Sequence, residues 1–144
     1  MKKILIIEDD TVLRENTAAF MKEQNFKVFV AEDGLVGVQQ TLKHIPDLIL
    51  CDISMPNMNG YDFYKTIKQI NATCTIPLIF FSAKTEKEDI RAGMQLGADD
   101  YITKPFNFYE LLKVIHTRLN KHNELQRVNN ENINALLNHP TLGV

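Results

Sequence analysis

Cysteine is scarce in this chain: of 144 residues only Cys51 and Cys74 carry a thiol, and neither sits in a CxxC pair or in metal-ligand spacing. That excludes a disulfide framework and a structural zinc site, and both thiols read as reduced structural residues. The histidines His44, His116, His122 and His139 are scattered without an i, i+4 pair, so a metal site built on them is not expected. No apolar stretch approaches the roughly 18 residues of a membrane span. Met1-Lys2-Lys3 and the four apolar residues after it begin like a signal peptide, but Glu8-Asp9-Asp10 arrives too early for a secretory core segment. A first strand and a cytoplasmic location are expected instead. There is no long Lys/Arg run and the formal net charge is -2, which argues against a general binder of nucleic acid or membrane surfaces.

What is present is enough apolar material for a core: 44% of the residues are hydrophobic, which at this length fits one domain with a short appendage. Five short apolar runs, near 3–7, 27–31, 47–51, 77–81 and 99–103, alternate with five segments of helical apolar spacing. Several runs are continuously apolar, as in strands covered on both faces. The pattern predicts a doubly wound α/β domain of flavodoxin-like form, a five-stranded parallel sheet flanked by five helices. The second helical segment shows Leu35, Val38, Leu42 and Ile45 at a 3.6-residue period, opened by Asp33-Gly34 and stopped by Pro46. The third presents Phe63, Ile67 and Ile70 after the turn signal Asn59-Gly60, and the fifth presents Leu111, Leu112, Ile115 and Leu119 after Asn107 as N-cap.

The domain is expected to occupy residues 1–121. From His122 to Val144 the composition turns Asn-rich and polar, yet Leu125, Val128, Ile133, Leu136 and Leu137 keep helical spacing. Two readings stand side by side: a loosely ordered tail or linker, and an amphipathic extension of the last helix that dimerises or signals. Pro140 should end any helix there.

The chemistry gathers at the ends of the apolar runs. Glu8-Asp9-Asp10 closes the first, Asp52 the third, Ser82-Ala83 the fourth, and Lys104-Pro105 follows the last. In parallel strands those ends share an edge, where open α/β sheets bind ligands, and the strand order 2-1-3-4-5 is the one that brings them together. Glu8, Asp9 and Asp52 would then crowd three carboxylates, which requires a cation or a retained proton. Mg²⁺ suits the set: Asp9, Asp52, a main-chain carbonyl and a phosphoryl oxygen are the oxygen donors it takes. A free Asp52 oxygen can attack phosphorus to form an acyl phosphate, with Lys104 balancing charge and the Ser82 hydroxyl and Ala83 amide donating to phosphoryl oxygens.

Singly, each residue has a plainer role: helix cap, turn residue, loop hydroxyl or solvated lysine. Together, the segments 4–10, 47–60, 77–83 and 99–106 closely resemble the receiver domains of bacterial two-component response regulators, in order and at matching separations from about residue 2 to 120. The resemblance implies that Asp52 receives a phosphoryl group from a sensor histidine kinase or a histidine phosphotransfer protein. It also implies that the Ser54 main-chain carbonyl joins the Mg²⁺ shell, that Glu8 holds a metal-bound water, and that Lys104-Pro105 is cis. Ser82 and Tyr101 would form the switch that reshapes the face of the fourth helix, fifth strand and fifth helix, with weak homodimerisation on activation. Ser54 and Lys84, two residues beyond Asp52 and Ser82, would tune the lifetime of the acyl phosphate.

The competing expectation is a haloacid-dehalogenase-like phosphatase with Asp52 as nucleophile, but its motif needs a second Asp two residues on, where this chain has Ser54. A flavin binder is disfavoured because Glu8-Asp9-Asp10 would repel its phosphate. Output is expected through a downstream protein target or an output domain outside this chain, not through direct nucleic-acid contact.

Overall fold

Lys3–Ile7 forms the first strand, β1, and its successive side chains enter two different cores. It is the second of five parallel strands in a computed structural model that describes residues 1–83 and 87–137. Lys84, His139 and Pro140 lie outside the described residues. The sheet order is β2-β1-β3-β4-β5, with β2 at Lys27–Ala31, β3 at Leu48–Cys51, β4 at Leu78–Ser82 and β5 at Asp100–Thr103. Helices α1 (Thr11–Glu23), α2 (Gly34–His44), α3 (Gly60–Lys68), α4 (Lys87–Gln95) and α5 (Phe108–Leu137) connect and follow them.

The continuous apolar runs have a simple cause. Ile4, Ile6, Leu48, Leu50, Ile79 and Phe81 point to one face and meet Ala18 and Met21 of α1 and Leu111, Ile115 and Leu119 of α5. Leu5, Ile7, Ile49, Cys51, Leu78 and Phe80 point to the other and meet Phe63, Tyr64 and Ile67 of α3. A strand with helices on both faces has no polar side to present. β3, β4 and β5 each begin one residue later than the apolar runs suggest. Asp47 and Asp99 stand before β3 and β5, where their carboxylates accept from Lys3 N at 2.7 Å and Leu78 N at 2.8 Å. Pro77 has no N–H to give the ladder.

One sequence expectation needs correction. α2 forms, and Asp33 caps it, but of the apolar positions Leu35, Val38, Leu42 and Ile45 only Val38 packs against the core, while Leu35, Leu42 and Ile45 are 49%, 47% and 43% exposed. The buried positions are Gly34, Gly37 and Thr41. The reason is proximity, because a Cβ on Gly37 would lie 2.7 Å from Ile7 Cδ1, so only small residues let the helix settle on β1. Ile45 is the C-cap, in the left-handed region at φ 44°, just before Pro46.

The second surprise is α5, a single helix of 30 residues that carries the polar segment through Leu137. Asn107 opens it, its Oδ1 accepting from Tyr109 N at 2.7 Å. Among the described residues Leu119 is its last buried one, while Leu125 and Ile133 are 64% and 54% exposed. Residues 122–137 continue α5 as helix. Among the described residues no helix is long and apolar enough to cross a membrane.

Candidate functional site

Strand register delivers the site. Ile7 pairs with Cys51 and Cys51 with Phe80, so the residues that follow β1 and β3 leave the sheet side by side. Glu8 N still reaches Ala31 O and Asp52 N still reaches Ile7 O, each at 3.0 Å, which fixes both backbones one step beyond the strands. Carboxylate oxygens of Glu8, Asp9 and Asp52 then lie within 4.8 Å of one another. Glu8 and Asp52 are buried and Asp9 is exposed.

The acidic triplet divides its labour. Asp10 is the N-cap of α1, accepting from Leu13 N at 3.1 Å, which leaves Glu8 and Asp9 for the cluster. Arg14, one turn into α1, donates from Nη1 to the Glu8 carbonyl at 2.7 Å and steadies the loop between them. Sequence reading missed Arg14, although its place four residues after a capping aspartate was a usable signal.

Lys104 arrives from the far side. Its N–H donates to Ser82 O at 2.8 Å, the Lys104-Pro105 bond is cis, and the ammonium sits 5.2 Å above the centre of the Phe81 ring. From there Nζ donates to Glu8 Oε1 and, at 3.2 Å, to Asp52 Oδ2. Asp52 Oδ1 is occupied by the Ile53 N–H at 2.7 Å. Two buried carboxylates thus share one ammonium, which leaves an excess negative charge. Burial first, and then the hydrogen bond and charge of Asp52, push the Glu8 carboxyl from its ordinary 4.5 up to about 8 against the pull of Lys104. Burial draws the Lys104 ammonium down, but the Glu8 hydrogen bond and both carboxylate charges outweigh it and leave the pKa raised. Cys51, next to Asp52, stays a neutral thiol because burial and the neighbouring carboxylates raise its pKa well above the ordinary range.

Ser82 ends β4, is buried, and pairs in register with Thr103, the residue before Lys104. Ala83 follows it and is exposed. With Asp10, Leu13, Lys104, Pro105, Phe106 and Phe108 it lines a cavity of about 440 Å³ beside the acidic cluster. Tyr101 is half-buried on β5 opposite Phe80, within the core of the α3 face, and lies against Gly93 of α4. Ser54 is exposed in the loop after β3. The structure therefore gathers Glu8, Asp9, Asp52 and Lys104 at one spot, and puts Ser82 and Ala83 on the strand end beside Lys104. Tyr101 sits back from the cluster, two residues before the partner of Ser82. Sequence reading also missed the pairing of Asn57 with Asp33, which no local pattern announces.

The donor set fits a hard divalent cation: all three acidic side chains offer oxygen, and Glu8 Oε2 is buried with no hydrogen-bond partner among the described residues.

Comparison with known proteins agrees with this geometry. Residues 4–116 match the response regulator receiver domain family. The chain is 39% identical to response regulator ArlR of Staphylococcus saprophyticus, over 84% of this chain and 54% of that protein. It is also 39% identical to the phosphate regulon transcriptional regulatory protein PhoB of Escherichia coli, over 77% of this chain and 48% of that protein. The crystal structure of a CheY-like response regulator receiver domain protein from Methanospirillum hungatei matches with a TM-score of 0.81 at 26% identity, covering 86% of this chain and 98% of that one. The chain belongs to the response regulator receiver domain family, the signalling module of two-component systems. It spans about half the length of the curated relatives it matches. The haloacid-dehalogenase-like phosphatase alternative is set aside, since Ser54 stands where its second Asp would be and the family match is to receivers.

Proposed function

We propose that Asp52 is the phosphoacceptor of this domain, taking a phosphoryl group from a phosphohistidine on a sensor histidine kinase or phosphotransfer protein. The observation that supports it most is the Lys104 ammonium held between Glu8 and Asp52 at the carboxyl edge of the sheet. An Asp52 carboxylate oxygen forms the new O–P bond as the donor's P–N bond breaks, and the electron pair leaves on the imidazole nitrogen. No general base is needed because the attacking group is already an anion. Lys104 balances the charge of the transferring group, and the Ser82 hydroxyl and Ala83 amide are the donors nearest to hand on the next strand end. The cavity beside Lys104 is where the donor side chain approaches.

Glu8, Asp9, Asp52 and the Ser54 main-chain carbonyl would hold Mg²⁺. That ion supplies double positive charge to a loose, in-line transfer. Without it, the proton that Glu8 retains below about pH 8 removes one negative charge from the cluster.

Ser82 and Tyr101 are proposed as the relay that reports phosphorylation to the face made by α4, β5 and α5. For this to work, the phosphoryl group must favour one of two arrangements that already exist. Homodimerisation through that face, or contact with a downstream target or a following output domain, would carry the signal on.

The test is incubation with Mg²⁺ and acetyl phosphate followed by intact mass and hydroxylamine treatment. A hydroxylamine-labile phosphoryl adduct on the parent and none on Asp52→Asn is expected. An adduct that survives the substitution moves the acceptor elsewhere, and steady turnover of unrelated phosphomonoesters would revive the phosphatase.

A further inference from the structure

The loop of residues 53–59 begins directly after Asp52 and carries Ser54, and it is clamped at both margins. At the α3 margin Gly60 N donates to Ile53 O at 2.8 Å, and a Cβ on Gly60 would sit 2.2 Å from Asp52 O. At the α2 margin Gly34 N donates to Met58 O at 3.1 Å, and a Cβ on Gly34 would come within 2.5 Å of that carbonyl. Between them stands Asn57, with φ 66°, whose Nδ2 donates to Asp33 Oδ2 at 2.7 Å.

Asp33 is buried, and its two oxygens have separate tasks. Oδ1 accepts from Val36 N at 2.9 Å and caps α2, while Oδ2 grips the loop. Capping alone needs a single acceptor, which serine supplies about as well. The second oxygen is what the cap does not explain, and its partner is the Asn57 amide on the loop following Asp52, whereas the loop's other amide, Asn59, caps α3 by accepting from Asp62 N at 2.9 Å. Asparagine is also suited to the left-handed backbone at position 57, so its side chain is aimed from a turn it tolerates.

We propose that Asp33 and Asn57 are positioning residues for the phosphoacceptor site. Their hydrogen bond anchors the 53–59 loop to the start of α2 and so keeps the Ser54 main-chain oxygen in place beside Asp52. The assignment rests on the Mg²⁺-dependent reading above. Neither residue touches the reacting atoms. They act through the loop, as partners that orient metal ligands do, and the loss of such a partner weakens metal affinity by roughly tenfold or more.

The decisive variant is Asn57→Gly, which keeps the positive φ and deletes only the amide. The companion is the charge-neutral exchange Asp33→Asn with Asn57→Asp, which rebuilds the hydrogen bond in the opposite sense and keeps a cap at position 33. Mg²⁺ binding is read by calorimetry, with thermal midpoints and hydrogen exchange of the loop amides measured alongside. In Asn57→Gly, Mg²⁺ affinity is expected to fall roughly tenfold and the loop amides to exchange faster, while the exchanged pair stays within about threefold of the parent. A lower melting temperature with unchanged Mg²⁺ affinity in Asn57→Gly overturns this assignment alone, because the contact is then purely structural. An exchanged pair as weak as Asn57→Gly also overturns it. A parent that binds no Mg²⁺ overturns the phosphoacceptor reading and this assignment with it.

Discussion

Lys104 Nζ lies 3.2 Å from Asp52 Oδ2, although 52 residues separate the two in sequence, and the same ammonium donates to Glu8. This arrangement makes Lys104 at once the counter-ion of a buried acidic pair and a ready donor to a transferred phosphoryl group.

Replacing Lys104 should separate the two roles. In Lys104→Met, Mg²⁺ affinity is expected to hold or rise, since a competing cation has gone. The rate of adduct formation with acetyl phosphate should fall by about 10²-fold or more, the usual cost of removing a charge-stabilising donor. Calorimetry and a mass-resolved time course measure the two effects. An unchanged rate would mean that Lys104 only neutralises the resting site.

The raised Glu8 carboxyl sets a pH dependence. Between its ordinary 4.5 and about 8, Glu8 keeps its proton in the folded chain and loses it in the unfolded one, so it lowers stability progressively as pH rises through that window. Without Mg²⁺, the urea midpoint should therefore be higher near the acid end of the window, and Glu8→Gln should remove that slope. Mg²⁺ binding should release up to about one proton per ion below pH 8, which calorimetry in buffers of different ionisation enthalpy counts. Equal heats in those buffers after dilution correction would contradict the shift.

The orientation of α2 is directly testable. Leu42→Gln alters a residue that is 47% exposed and should change unfolding free energy by less than about 0.5 kcal/mol. Gly37→Val inserts bulk where a Cβ would already be 2.7 Å from Ile7 Cδ1, and should cost about 1–3 kcal/mol. Urea denaturation of both variants decides it. The reverse ranking would place the Leu35 and Leu42 stripe against the sheet.

The far end of α5 should be dispensable for the domain. A chain ending at His122 retains every α5 residue that is buried among the described residues, the last being Leu119, and should keep the parent's urea midpoint. The released segment alone should have little helicity in circular dichroism, because isolated helices of this length are marginal in water. A large stability loss would show that the extension packs on the domain.

Much of the site was legible before any coordinates because its chemistry sits at strand ends, and apolar runs followed by Asp, Ser or Lys mark those ends. Glu8, Asp9 and Asp52 could be grouped by valence alone, since three carboxylates on one edge need a cation. The separate fate of Asp10 was less legible, because a cap and a ligand are the same residue type until the backbone chooses. The apolar period of α2 revealed a helix, but of its four positions only Val38 packs against the core. A helix lying this close to a strand buries its glycines and leaves larger residues outside.

By itself the sequence determined the alternation of strand and helix, the five-stranded class and the identity of the charged groups, because periodicity and residue chemistry are local. Only the tertiary structure decided that Lys104 bridges Glu8 and Asp52, that Glu8 Oε2 is buried with no hydrogen-bond partner among the described residues, and that Asn57 answers Asp33. Each of these is a relation across the register of different strands and loops, and register depends on how whole faces pack.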